Sequence, residues 1–194
     1  MGGTAGGTAY QMIAKQMVQV QKMLPEMTTN TIEGGSAKNL LAIEQGKAQF
    51  GYAATLDALE ATKGKWEIGK PAQKLRFFQH YVLHGLAFHV RNDSPIKKMG
   101  DLLGKHIALK PKGFGSNPPA LAILAEYGIT EESNKKAGGT ISYLGTSDQA
   151  RGLKDKTVDV VIGANVLFGR MAHLVEPDES FGLRMLEPDP PGVK

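Results

Sequence analysis

Three glycine-bearing turns, each standing directly before a helical pattern, constrain the fold of this chain more than any other feature. They are Gly6-Gly7-Thr8, Gly34-Gly35-Ser36 and Gly113-Phe114-Gly115-Ser116. Glycine lets the backbone approach a neighbour closely, and the N–H groups at a helix start attract carboxylate or phosphate oxygens. In open α/β sheets such turns gather at the strand ends where ligands bind. The turns therefore predict an α/β fold with a shared ligand cleft.

Apolar residues at helical spacing predict the helices. Residues from Ala9 to Leu24 recur at helical spacing as far as Pro25, which predicts a first helix. In the second predicted helix, Ser36 is the expected N-cap residue and Gly46 is the residue that ends the helix. The helices predicted after the first span 36–45, 55–62, 99–103, 118–127 and 146–153.

Extended patterns alternate with these helices. The predicted strands span 27–32, 48–53, 106–110, 140–144, 158–163 and 182–186, and 75–90 reads as two extended segments broken near Gly85. Alternation of this kind favours mostly parallel sheets flanked by helices. Phe77, Phe78, Tyr81 and Phe88 are predicted to be core residues.

A turn-rich joint at 92–95 separates two α/β units, so a two-lobed architecture with a hinge is predicted. The first lobe is expected to comprise 1–89 and 168–194, and the second 90–167. No strand precedes the first glycine turn. We therefore expect the first lobe to be incomplete, lacking its first strand and a C-terminal part.

Composition excludes several kinds of function. The chain has no cysteine, which rules out thiol catalysis, disulfides and the common zinc patterns. Its 23 basic and 19 acidic residues are interspersed, which argues against nucleic acid. His80 and His84 have a helical metal spacing but lie in a strand-like run, so no metal site is predicted. No apolar run is long enough to span a membrane, and no secretory signal follows Met1.

Catalysis has little support in the sequence. Thr8 follows Gly7 where a phosphate-binding loop needs lysine, and no serine lies in a nucleophile elbow. The pairs Glu131-Glu132 and Asp178-Glu179 stand in polar patterns typical of solvated turns. We therefore predict neither a catalytic residue nor a cofactor.

A series of motifs resembles the TAXI-type receptors of TRAP transporters, in order and spacing, over about residues 3 to 170. The motifs are Gly-Gly-Thr-Ala-Tyr at 6–10, Glu-Gly-Gly-Ser-Ala-Lys-Asn-Leu at 33–40, Gly-Lys-Ala-Gln-Phe-Gly-Tyr-Ala at 46–53, Val-Arg-Asn-Asp-Ser-Pro-Ile at 90–96, Asp-Leu-Leu-Gly-Lys-His-Ile-Ala-Leu at 101–109 and the strand at 158–164. The resemblance implies a periplasmic binding protein type II fold and an extracytoplasmic location. It also implies delivery of the solute to a TRAP membrane permease, by a receptor expected to be a monomer.

Carried over by position, the resemblance implies a set of ligand-binding residues: Thr8, Tyr10, Ser36, Asn39, Thr55, Ser116, Asn117 and Asn165. The chain departs from the family pattern at Pro118-Pro119, which replaces a more polar helix start, and at 54–57, where the polar order differs.

The expected function is capture of a small anionic or zwitterionic solute, such as an amino acid or a dicarboxylate, by lobe closure. An ABC-transporter receptor of similar fold is the alternative among binding proteins. An enzyme on the same two-lobed fold and a ligand-sensing domain of a larger protein are the alternatives from other classes.

Overall fold

The computed structural model describes residues 1–65, 69–81, 84–166 and 171–187, without the side chains of 84 and 164–166. The helices are α1 (Thr8–Met23), α2 (Ser36–Glu44), α3 (Thr55–Thr62), α4 (Asn117–Glu126), α5 (Glu131–Lys136), α6 (Thr146–Lys154) and α7 (Ala172–Phe181), with a 3₁₀ turn at Met99–Leu102. The strands are β1 (His84–Arg91), β2 (His106–Leu109), β3 (Thr140–Tyr143), β4 (Val160–Val166) and β5 (Leu183–Leu186). Most of these match the predicted elements to within one or two residues.

The chain divides into two compact units. The first comprises Met1–Tyr81 with Gly113–Gly115, and the second comprises Val82–Lys112 with Ser116–Lys194. The predicted lobe boundaries at 89/90 and 167/168 stay predictions, and β5 pairs with β1 inside the second unit.

The second unit is built on a five-stranded mixed sheet with the order β3-β2-β4-β1-β5. Strand β2 is parallel to β3 and to β4, whereas β1 is antiparallel to both of its neighbours, β4 and β5. Four of the five strands therefore run in one direction.

Side-chain alternation along the strands gives the sheet two apolar faces. On β2, Ile107 and Leu109 pack in one buried cluster with Leu124 of α4, while Ala108 packs in a second cluster with Leu153 of α6 and Leu174 of α7. Because successive residues of a strand point to opposite faces, one strand supplies both cores. Helix α4 covers one face, and α6 and α7 cover the other.

In the first unit three short extended segments lie side by side. Their backbone hydrogen bonds run from Gly2 N to Ile32 O (3.0 Å), from Gly34 N to Gly3 O (3.1 Å) and from Tyr52 N to Met1 O (3.0 Å). The predicted strands at 27–32 and 48–53 were wrong, since neither range contains a regular strand. Residues 1–3 give these segments only a few backbone partners, which is too few for a continuous ladder.

Several other predictions need correction. Strand β1 runs through Gly85 without a break, and 75–81 is irregular. Phe88 is fully buried as predicted, but Phe77 and Phe78 are 81% and 75% exposed.

Two helices were missed. The Glu131-Glu132 pair opens α5, where Thr130 and Ser133 form a capping box. The Asp178-Glu179 pair lies in α7, which continues past Pro177.

Candidate functional site

The three helices of the first unit all begin where the adjacent extended segments end. Gly7, Gly35 and Ala54 are their N-cap residues, each with an extended backbone and none with a side-chain cap hydrogen bond. Ser36 is thus the first residue of α2, and the predicted N-cap role belongs to Gly35. A helix start without a side-chain cap carries a partial positive charge and backbone N–H donors that suit an anion. At α2 one of these donors, the Ala37 N–H, bonds to Gly113 O at 3.4 Å.

Ser36 ties the starts of α2 and α3 together. Its side chain is buried, and its Oγ accepts a hydrogen bond from the Ala54 N–H at 3.0 Å. Asp57 lies in the first turn of α3, three residues after Ala54. One side chain therefore joins the starts of two helices.

Asn39 organises the backbone beneath these helix starts. Its side chain is fully buried, and Nδ2 donates to Gly2 O at 2.9 Å and to Tyr52 O at 2.6 Å. These bonds connect the first and third extended segments through α2. The predicted role of Asn39 in ligand binding stays a prediction, and the role that its geometry supports is structural.

The remaining predicted residues of the first unit lie at the starts of α1 and α3. Thr8 is half-buried at the first position of α1, and Thr55 is exposed at the first position of α3. The Tyr10 hydroxyl, one turn into α1, donates to Thr31 O at 3.4 Å.

A short loop of the first unit, Gly113–Gly115, lies against α2 and α3. Gly113 O accepts the N–H of Ala37 at 3.4 Å. The ring of Phe114 lies so close to Gly35 that a Cβ there would come within 2.6 Å of it. A Cβ at Gly115 would lie 2.0 Å from Oδ2 of Asp57. The loop therefore covers the first turns of both helices, and its close approach requires glycine at both contact positions.

Asp57 was not predicted as a site residue. Its side chain is only 4% exposed, and Oδ2 has no hydrogen-bond partner among the described residues. Burial raises the pKa of Asp57, and the hydrogen bond from Ser36 opposes that rise. Burial and the nearby Asp57 charge raise the pKa of Tyr52 to about 12. The only hint in the sequence was the altered polar order at 54–57.

In the second unit Ser116 and Asn117 lie at the start of α4, the helix that follows β2, and Asn165 lies in β4. Asn117 is buried, and its Nδ2 donates to Lys110 O at 2.9 Å and to Pro111 O at 3.0 Å. Ser116 is the half-buried N-cap of α4 and makes no side-chain cap bond. Asn165 lies in β4 opposite Gly85, and its side chain lies outside the described part of the structure. The ligand-binding roles of these three residues stay predictions.

A buried lysine stands directly after β2. Lys110 is 5% exposed, and its Nζ donates to Gln149 Oε1 at 2.8 Å and lies 3.1 Å from His173 Nε2. Gln149 in turn donates to Leu109 O at 2.9 Å, which fixes the direction of its amide. Burial lowers the pKa of Lys110 to about 7. While Lys110 carries its proton it can only donate, so His173 then accepts through a neutral Nε2, in agreement with a pKa that burial and the Lys110 charge lower to about 3.

Within residues 1–65, 69–81, 84–166 and 171–187, no three histidine or acidic side chains are grouped so that they would hold a metal ion. None of the helices in those ranges is both long and apolar enough to cross a bilayer.

Solved structures of solute-binding proteins share this fold. The chain is 20% identical to the periplasmic aliphatic sulphonate binding protein SsuA from Escherichia coli, with a TM-score of 0.53 over 94% of this chain and 54% of that protein. It is 17% identical to the substrate binding protein of an amino acid ABC transporter, with a TM-score of 0.55 over 91% and 66% of the two chains. For the arginine-, lysine-, histidine-binding protein ArtJ from Geobacillus stearothermophilus the identity is 16% and the TM-score 0.57, over 91% and 66%.

These likenesses confirm the predicted α/β fold of the periplasmic binding protein type II class. The chain spans about half to two thirds of the length of the three proteins. Residues 1–167 match the model of the NMT1-like family, and the chain therefore belongs to that family.

Proposed function

We propose that this chain is part of an extracytoplasmic receptor that captures a small anionic or zwitterionic solute and delivers it to an ABC-type importer. The observation that carries the proposal is the pair of helix starts joined by Ser36, where α2 and α3 begin without side-chain caps. Backbone donors at such starts suit a carboxylate or sulfonate without any catalytic group.

The ABC-type assignment is favoured over the TRAP-type one. One structural neighbour serves an amino acid ABC transporter, whereas the motif series alone supports a TAXI-type receptor. The two assignments differ in energy source, because an ABC importer hydrolyses ATP and a TRAP permease uses an ion gradient. Uptake of the bound solute by membrane vesicles supplied with this protein and ATP, without an ion gradient, would support the ABC assignment. Uptake that needs only the gradient would reverse it.

Lobe closure is the proposed mechanism of capture. The solute first meets the helix starts of the first lobe, and the second lobe then closes over it and excludes water. Contacts made only in the closed form would stabilise that form. Ser116, Asn117 and Asn165 are the residues proposed to act from the second lobe.

Thermal unfolding with a panel of alkanesulfonates, amino acids and dicarboxylates tests the proposal. A solute at about one hundred times its Kd should stabilise the protein by about 2.7 kcal/mol. For a chain of this length that is a rise in Tm of roughly 5 to 11 °C. A panel without any shift would count against this class of solute.

A charge change in the first turn of α2 tests the site itself. Lys38 is exposed near the start of that helix. Lys38→Glu places a carboxylate there, which should compete with an anionic solute and weaken its binding several-fold, while the helix gains about 0.3 to 1 kcal/mol. The affinity of Lys38→Gln for the solute should fall between those of the wild-type protein and Lys38→Glu.

Lys135→Glu is the matched control, because it makes the same change of charge on α5. It should leave affinity within about twofold, since the effect of a charge on a helix start is confined to the first turn of that helix. Equal weakening by both Glu variants would mean that net charge, and not the α2 start, governs binding.

A further inference from the structure

We propose that Asp57 forms a second subsite in the first unit, which binds the ammonium group of a zwitterionic solute beside the anion-binding start of α2. This inference rests on the proposed function and narrows it to a class of solute. It predicts a receptor for amino acids or aminosulfonates rather than for simple carboxylates or sulfonates.

The Asp57 carboxyl group is buried but incompletely satisfied. It is 4% exposed, and its Oδ2 has no hydrogen-bond partner among the described residues. Buried polar atoms normally have a partner, because an unsatisfied one costs free energy. A carboxylate with an unused oxygen in a desolvated position is matched by a donor that carries positive charge.

The two subsites are connected through Ser36. It is the first residue of α2, where an acid group would meet backbone donors, and its Oγ accepts the N–H of Ala54, the N-cap residue of α3, at 3.0 Å. Asp57 lies three residues further on, in the first turn of α3. A ligand that uses both subsites must therefore carry its acid and its ammonium on a short linker, as α- and β-amino acids and taurine do.

The residue that lies against Oδ2 of Asp57 is Gly115. A Cβ on Gly115 would lie 2.0 Å from Oδ2 and 2.8 Å from Cγ of Asp57, so any side chain at this position would press on the carboxyl group. Gly115 therefore packs directly against the Asp57 carboxyl group. Two residues earlier, Gly113 O accepts the Ala37 N–H at 3.4 Å. On this proposal the solute takes the place of the loop at both positions, its acid group at Ala37 and its ammonium group at Asp57.

Paired solutes that differ only in the ammonium group test the inference. Binding of β-alanine against propionate, and of taurine against ethanesulfonate, would be measured by calorimetry on the whole chain. The wild-type protein should bind the zwitterion of at least one pair about ten- to hundredfold more tightly, as expected for a charge-assisted hydrogen bond. Asp57→Asn should remove that preference and leave the affinity for the ammonium-free partner within about threefold.

Three outcomes are decisive. Equal affinity of the wild-type protein for both members of each pair overturns the subsite while the proposed function stands. A preference that survives in a folded Asp57→Asn variant also overturns it, because the carboxylate is then not the partner of the ammonium. If no sulfonate, carboxylate or zwitterion binds, the proposed function fails, and the subsite with it. The wild-type comparison needs no variant, so it decides the question even if Asp57→Asn does not fold.

Discussion

Replacing Lys110 by methionine should remove a large part of the pH dependence of stability. Lys110 is 5% exposed, and no carboxylate among the described residues lies within ion-pair distance of it. Burial lowers its pKa from 10.5 to about 7. In the unfolded chain the same amine keeps its proton up to about pH 10.4.

The direction of the pH effect on the free energy of unfolding follows from which state, folded or unfolded, binds the proton. Between about pH 7 and 10.5 the unfolded state holds a proton on Lys110 that the folded state has released, so the free energy of unfolding rises with pH. Each pKa unit corresponds to about 1.4 kcal/mol, so the full change across this window is about 3 to 5 kcal/mol. His173, with a pKa lowered from 6.5 to about 3, has the same sign in a separate and more acidic window. The two groups can therefore be distinguished by pH alone.

Urea unfolding followed by circular dichroism at pH 7, 8, 9 and 9.5 measures the effect. The wild-type protein should gain about 1 kcal/mol per pH unit relative to Lys110→Met. The variant also loses the bonds to Gln149 and His173, which shifts its whole curve but not its slope. Lys135→Met, at an exposed lysine of α5, should keep the wild-type slope. Parallel curves for the wild-type protein and Lys110→Met would refute the reasoning.

Two further predictions concern the second unit. Asn134→Ala should lower the free energy of unfolding by about 2 to 4 kcal/mol, which is measured as a lower urea midpoint. The reason is that the buried Asn134 side chain accepts from Gly104 N at 2.7 Å and donates to Lys105 O at 2.9 Å. An unchanged midpoint would contradict it. Gly139→Ala should cost about 1 to 3 kcal/mol, since its Cβ would lie 2.5 Å from Lys105 O. Gly100→Ala, with open space around its Cβ, should stay within about 0.5 kcal/mol of wild type in the same assay, and equal loss in both variants would refute the steric argument.

The helices of the first unit could be predicted because their signals are local. Helix α1 follows the apolar spacing from Ala9 to Leu24 and ends before Pro25. The predicted strands at 27–32 and 48–53 failed because a strand needs partners. The only extended partner described for them is the short segment at residues 1–3.

The candidate site was predictable in position but not in chemistry. The glycine turns and Ser36 follow from the sequence, because helix starts are encoded locally. Asp57 becomes notable only when Gly115, far along the chain, lies against it. Lys110 likewise owes its environment to Gln149 of α6 and His173 of α7. Local patterns contain no information on such distant contacts.

The position of β1 in the sheet, between the later strands β4 and β5, has a consequence for how this protein is made. Phe88 of β1 faces Ile162 of β4 and Leu186 of β5, so the strand has both of its partners much later in the chain. During synthesis on the ribosome β1 must wait, with its apolar side chains exposed, until β4 and β5 have emerged. Contacts between residues that are far apart in the sequence slow folding and expose chains to aggregation. We therefore expect the second unit to complete its sheet only after β5 has left the ribosome, and to depend on protection of β1 until then.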